Sequence, residues 1–186
     1  MKIRLLFCFC FLIGVGCKKP ADNGNSVNKS NVVIANEFID AFYSFKKDSL
    51  ESKMIHAKGS QPNIVYYQGW AECGNYKVLK RDNVVAKNDS LVIYPVTVKD
   101  DLMAALQIDF NVTDTFKITI SKGQIRSVET SSNDLDEYYK AKEWVKLNRP
   151  DLIVKACAGI WEGGPTPCEC ILGMIKGFAE FTASKK

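Results

Sequence analysis

The stretch "FKITISKGQIRSVE", Phe116 to Glu129, sets two β-branched runs on either side of Lys122-Gly123 and reads as a β-hairpin. Its neighbours share that character. "NIVYYQGWAEC", "YKVLKRDNVVAK", "LVIYPVTVK" and "ALQIDFNVTDTFKITIS" are rich in β-branched and aromatic residues, and Asn88-Asp89-Ser90 marks a second turn. Leu106, Ile108, Phe110 and Val112 alternate with Gln107, Asp109, Asn111 and Thr113, the pattern of an antiparallel strand with one face in water.

Helical periodicity flanks this strand-rich middle. "NVVIANEFIDAFYSFKK" puts Ile34, Phe38, Phe42 and Phe45 on one face, and Asp48 suits the N-cap of a short second helix, "SLESKMIHA". On the far side, "NDLDEYYKAKEWVKLN" starts at an Asn133 cap and stops before Pro150, which in turn opens "PDLIVKACAGI". The last helix has Thr166 as cap, Pro167 at its first position and Glu169 reaching back, followed by an apolar stripe of Ile171, Met174, Ile175 and Phe178. This order predicts an α+β fold, with N-terminal helices packed on a curved antiparallel sheet and additional C-terminal helices.

The first residues speak to compartment. "MKIRLLFCFCFLIGVGC" has a basic head at Lys2 and Arg4 and an apolar run from Leu5 to Val15, too short to span a bilayer. With Gly14-Val15-Gly16-Cys17 after it, the segment resembles a bacterial lipoprotein signal. That resemblance implies removal of residues 1–16 and lipidation of Cys17, hence a membrane anchor on a cell-envelope protein facing the periplasm or the cell surface. An ordinary signal peptide cut near Gly16 is the alternative. Residues 17–30, "CKKPADNGNSVNKS", have almost nothing to bury and read as a flexible tether. The domain then occupies residues 31–186, a length that buries a proper core. The 25 basic and 21 acidic residues give a net charge of +4, and no aromatic-interleaved basic patch exists, so nucleic acid is not an expected partner.

"FIDAFYSFKKDSLESKM", the "FKITISKGQIRSVE" hairpin and the closing helices "EWVKLNRPDLIVKACAG…GPTPCECILGMIKGFAEF" together resemble the nuclear-transport-factor-2-like superfamily, of the SnoaL-like kind. The resemblance implies a cone-shaped fold with an apolar pocket between helix and bent sheet. Enzymes of that superfamily (isomerases, dehydratases and polyketide cyclases) hold an Asp or an Asp–His pair in the pocket as general base, because desolvation raises a carboxylate's pKa toward neutrality. The candidates for such a role are Asp109, Glu129 and the single histidine, His56, each with a plainer reading as a solvent-facing side chain. Phe42, Tyr66, Tyr67, Trp70, Tyr94 and Phe110 could line the pocket, although aromatics at such spacing more commonly build core. No phosphate-binding glycine loop and no nucleophile elbow occurs.

Of seven cysteines, the lipoprotein resemblance implies that Cys8 and Cys10 leave with the signal and that Cys17 carries the lipid. Cys73, Cys157, Cys168 and Cys170 remain, an even number that suits disulfides in an exported domain. They lack the paired C-x2-C knuckles of a zinc site and the C-x-x-C of a redox centre, so no metal is expected. Cys168 and Cys170 point about 200° apart around a helix and cannot readily bond each other. Cys157 is expected to pair with one of them, stapling a helix–helix corner at "GGPTPCEC", and Cys73 with the other. The expected role is a binding module for a small apolar ligand or a partner protein, with no cofactor. A pocket-carboxylate enzyme is the alternative, and a subunit burying a sheet face in a homodimer is a third reading.

Overall fold

The computed structural model describes residues 23–158 and 168–186. The signal segment, Cys17 and the Thr166–Pro167 cap lie outside the described residues. Three helices lead the fold: α1 (Asn23–Tyr43), α2 (Lys47–Lys53) and α3 (Gln61–Cys73). Five strands follow: β1 (Lys77–Arg81), β2 (Val85–Ala86), β3 (Leu91–Lys99), β4 (Val112–Ser121) and β5 (Gln124–Ser132), with the short α4 (Asp101–Ala105) between β3 and β4. The chain ends in α5 (Asp136–Asn148), α6 (Pro150–Ile153) and α7 (Cys168–Ala183). The architecture is α+β, with a curved, unclosed antiparallel sheet and C-terminal helices, as the element pattern predicts.

The sheet runs β1-β3-β4-β5, with β2 on the same edge of β3 as β1. Pro95 sits mid-strand in β3, where a missing N–H would normally break the ladder. Its carbonyl accepts from the Asp82 amide in the gap between β1 and β2, so the donorless nitrogen faces that interruption. Bulges at Val78/Lys80 and Thr119/Ile120 add twist and bend. Lys122 and Gly123, at φ 52° and 69°, form the two-residue turn of the β4–β5 hairpin.

One sheet face is dry. Val92, Tyr94, Val96 and Val98 of β3 alternate inward beside Val112, Phe116 and Ile118 of β4. Against them α1 lays Ala35, Phe38, Ile39 and Phe42, and Phe116 makes edge contacts with Phe38 and Phe42 at centroid distances of 5.8 and 4.9 Å. The apolar stripe expected on the last helix is real: Ile171, Met174 and Phe178 are fully buried.

Several sequence expectations change. "NIVYYQGWAEC" forms helix α3 where a strand is expected. Ile64, Gln68 and Ala71 are buried at helical spacing, and Gln68 Nε2 donates to the Ala41 and Phe42 carbonyls at the end of α1. Docking and a buried cap outweigh the β propensity of Val and Tyr. The Leu106–Thr113 alternation also misleads. Asp100 caps α4 by accepting from the Met103 amide at 2.8 Å, and Leu102, Met103 and Leu106 are buried. Gln107, at φ 57°, ends that turn, and β4 begins only at Val112. Helix α1 reaches back to Asn23, into the segment read as tether, because extending a docked helix carries no nucleation cost. Neither Asp48 nor Asn133 is a cap: α2 starts at Lys47, and Asn133 Oδ1 accepts from the Thr113 amide before α5 begins.

The cysteines pair as Cys157–Cys170 and Cys73–Cys168, with Cα separations of 4.8 and 5.2 Å. The first joins the turn after α6 to the first turn of α7, and the second ties the same turn to the end of α3. Disulfides of this kind suggest a domain outside the reducing cytoplasm. No helix among the described residues is long and apolar enough to cross a membrane.

Candidate functional site

The two faces of α3 have different duties. While Ile64, Gln68 and Ala71 face the core, Asn63, Tyr66, Tyr67 and Trp70 line an open cavity of about 460 Å³. Tyr76, three residues past α3, continues the aromatic wall. Thr130 and Ser132, alternate residues at the end of β5, supply hydroxyls along one side. Asp134 precedes α5, and Tyr138 and Lys142 stand one turn apart on it, closing the other side. Trp70 and Tyr76 are nearly buried, whereas Tyr66, Tyr67 and Tyr138 are half-buried. The wall is thus aromatic in bulk and polar at its tips.

A carboxylate lies beneath this wall. Asp114 of β4 is fully buried and accepts from Tyr67 Oη at 2.5 Å and Tyr43 Oη at 2.9 Å. It occupies the inward phase of a strand whose other inward residues, Val112, Phe116, Ile118 and Ile120, are apolar. Burial pushes its pKa up to about 6, against the opposing pull of the two tyrosine hydrogen bonds. Asp100 also rises to about 6 through burial, with the backbone amides of its helical cap pulling the other way. Tyr67, Tyr76 and Tyr138 are all held neutral well above the ordinary tyrosine range, by burial first and by the nearby aspartates second. Burial also lowers the Lys142 pKa, helped by Lys146 and opposed by Glu143 and Asp134.

Only part of the expected site comes together here. Tyr66, Tyr67 and Trp70 line the cavity, but as helix residues. Phe42 is a fully buried core side chain, and Tyr94 is buried with its hydroxyl donating to Asn36 Oδ1 at 2.6 Å. Phe110 and Asp109 border a separate cavity of about 430 Å³ beside α4, where Asp109 is exposed in a loop. Glu129 points to solvent on β5, and His56 is exposed in the turn after α2. None of these three offers a desolvated base. Two signals could have found the missed residues. The inward phase of β4 contains one charge, Asp114, and the Asp134–Tyr138–Lys142 spacing marks one helical face leading out of β5.

The arrangement can enclose a ligand against aromatic rings and offer it hydroxyls, one ammonium and one carboxylate. A directly exposed, strongly perturbed acid–base pair is not part of it: Asp114 is sealed, with both oxygens engaged by tyrosine hydroxyls. No known protein-family model matches the chain, and no curated protein shows detectable similarity to it.

Proposed function

We propose that this chain is a lipid-anchored cell-envelope protein with a nuclear-transport-factor-2-like domain that binds a small molecule without transforming it. One observation carries the reading. The cavity between α3, the end of β5 and α5 has the size of a small-ligand pocket and a wall of five aromatic side chains, while its buried carboxylate is withheld from any occupant. Two disulfides fit an exported domain, and helices laid on a curved antiparallel sheet fit the superfamily resemblance. The lipid signal at Cys17 supplies the anchor. The tyrosine hydroxyls, Ser132 and Asp134 give the pocket more polarity than a purely greasy ligand needs, so the occupant carries polar groups as well as apolar surface.

The test is native mass spectrometry of the full chain, exported to an oxidising compartment and purified in a non-ionic detergent without added ligand. The expected spectrum contains a non-covalent adduct of small mass that disappears in Tyr66→Ala. A bare chain, together with no rise in melting temperature on addition of envelope extract, overturns the reading.

A further inference from the structure

Four tyrosines and a tryptophan in one cavity invite two kinds of guest: a flat neutral ring, or a cation that the electron-rich ring systems attract. The charges around the cavity choose between them. Asp134 and Lys142 are the charged side chains among its described lining residues, and they offset each other. Two further carboxylates stand behind the wall: Asp114, bonded to Tyr67, and Asp100, whose field reaches both Tyr76 and Tyr138. Burial first, and these aspartates second, oppose ionisation of the lining tyrosines, so the rings stay neutral and three carboxylates stand around the cavity against the one ammonium of Lys142.

We infer that the cavity recognises a small organic cation, a quaternary ammonium or similarly alkylated amine, held against Trp70, Tyr66, Tyr76 and Tyr138 within the field of Asp134, Asp114 and Asp100. This rests on the binding-module reading and names its ligand class. A metal ion is the wrong guest. Aromatic rings cannot replace the water that a small hard cation must shed, and no cluster of three metal-ligating side chains occurs among the described residues. An alkylated ammonium is weakly hydrated, and its bulk suits an aromatic wall. An anion would have Lys142 and the tyrosine hydroxyls to meet it, but would enter against three carboxylates. Asn63 and Thr130 remain to bond a hydroxyl or carbonyl at the ligand's other end, while the Ser132 hydroxyl donates to Asp134 Oδ2 at 2.5 Å and orients that carboxylate.

Calorimetric titration of the full chain with choline, with 3,3-dimethylbutan-1-ol and with benzoate tests the inference. The alcohol has choline's shape with a neutral carbon in place of the charged nitrogen. Choline is expected to bind at least about tenfold more tightly than the alcohol, the factor that one desolvated cation–aromatic contact supplies. Asp134→Asn, at a half-buried loop position, is expected to weaken choline more than the alcohol and so to reduce that preference. Tyr66→Phe, which retains the ring, is expected to keep the preference, and Tyr66→Leu to reduce it. Equal affinity for choline and the alcohol, tighter binding of benzoate, or no choline binding at all overturns the inference. An adduct in the native spectrum alongside any of these results leaves the pocket a binding site and sinks the cation alone. A bare chain that binds none of the three probes and gains no melting temperature from envelope extract sinks both.

Discussion

Asp114 and Asp100 are the buried carboxyls among the described residues. The folded pKa of Asp114, about 6, lies above the usual 3.8, as does that of Asp100. Each therefore holds its proton in the folded state over a range where the unfolded chain has already released it. By linkage, stability is highest below about pH 4 as far as these two groups are concerned, and falls as pH rises through about 6, by a few kcal/mol in all. Thermal melts across that window should show the decline, and Asp114→Asn should remove about half of it, because the amide accepts a tyrosine proton without ionising while Asp100 still titrates. A melting temperature that rises between pH 4 and pH 6 in the native chain, unchanged by the substitution, would contradict this account. Tyr67→Phe leaves a carboxylate oxygen buried without its donor. It should lower stability by about 1–3 kcal/mol in chemical denaturation and push the Asp114 titration higher still.

At the scale of elements, α7 depends on two glycines for its fit. A Cβ on Gly177 would lie 2.4 Å from Val145 Cγ2 on α5, and one on Gly173 would lie 2.3 Å from the Leu152 carbonyl oxygen on α6. Both replacements force the helix away from its neighbours, but the obstacles differ. Gly177→Ala should cost about 1–3 kcal/mol as an overpacked contact. Combining it with Val145→Ala should recover part of that loss in a double-mutant cycle, since the obstructing atoms belong to a side chain. Gly173→Ala meets backbone, so truncating the Leu152 side chain should recover nothing. Strictly additive free energies for the Gly177–Val145 pair would show that the helices separate rather than interlock. Salt bridges play a smaller part at this scale: Arg149 with Glu180 and Lys185 with Glu137 link α7 to the α5 segment at partly exposed sites, where such pairs contribute little.

For the whole molecule, the two disulfides fasten the first turn of α7 to the end of α3 and to the turn after α6. Cys73–Cys168 spans 95 residues and Cys157–Cys170 spans 13, so chain-entropy reasoning assigns them about 4.7 and about 3 kcal/mol. Serine at both members of the longer bridge should lower the melting temperature more than the same change in the shorter one. The reverse order would mean that strain or residual unfolded structure outweighs loop length. Because Cys73 closes α3 and α3 carries the aromatic wall, loss of the longer bridge should also weaken ligand binding at temperatures where the chain remains folded.

The sequence by itself determined what depends on local periodicity and chemistry. The β4–β5 hairpin is written in its β-branched runs and Lys122-Gly123. The buried stripe of α7 is written in Ile171, Met174 and Phe178, and the disulfide partners are narrowed by helical geometry at Cys168 and Cys170. Tertiary structure decided whatever depended on competition between local preference and packing. Residues 61–73 have strand-like composition yet form a helix, because Gln68 caps α1 and Ile64 and Ala71 reach the core. Leu106 to Val112 alternate like a strand, yet a capped turn of helix claims Leu106 and a left-handed Gln107 ends it. The site belongs to this second class. Tyr66 and Trp70 were legible as aromatics, but their meeting with Tyr76, Tyr138 and Asp134 depends on α3, the end of β5 and α5 converging on one cavity. Asp114 gains its raised pKa from burial beneath two tyrosines 47 and 71 residues away in the chain, and no local pattern contains that distance.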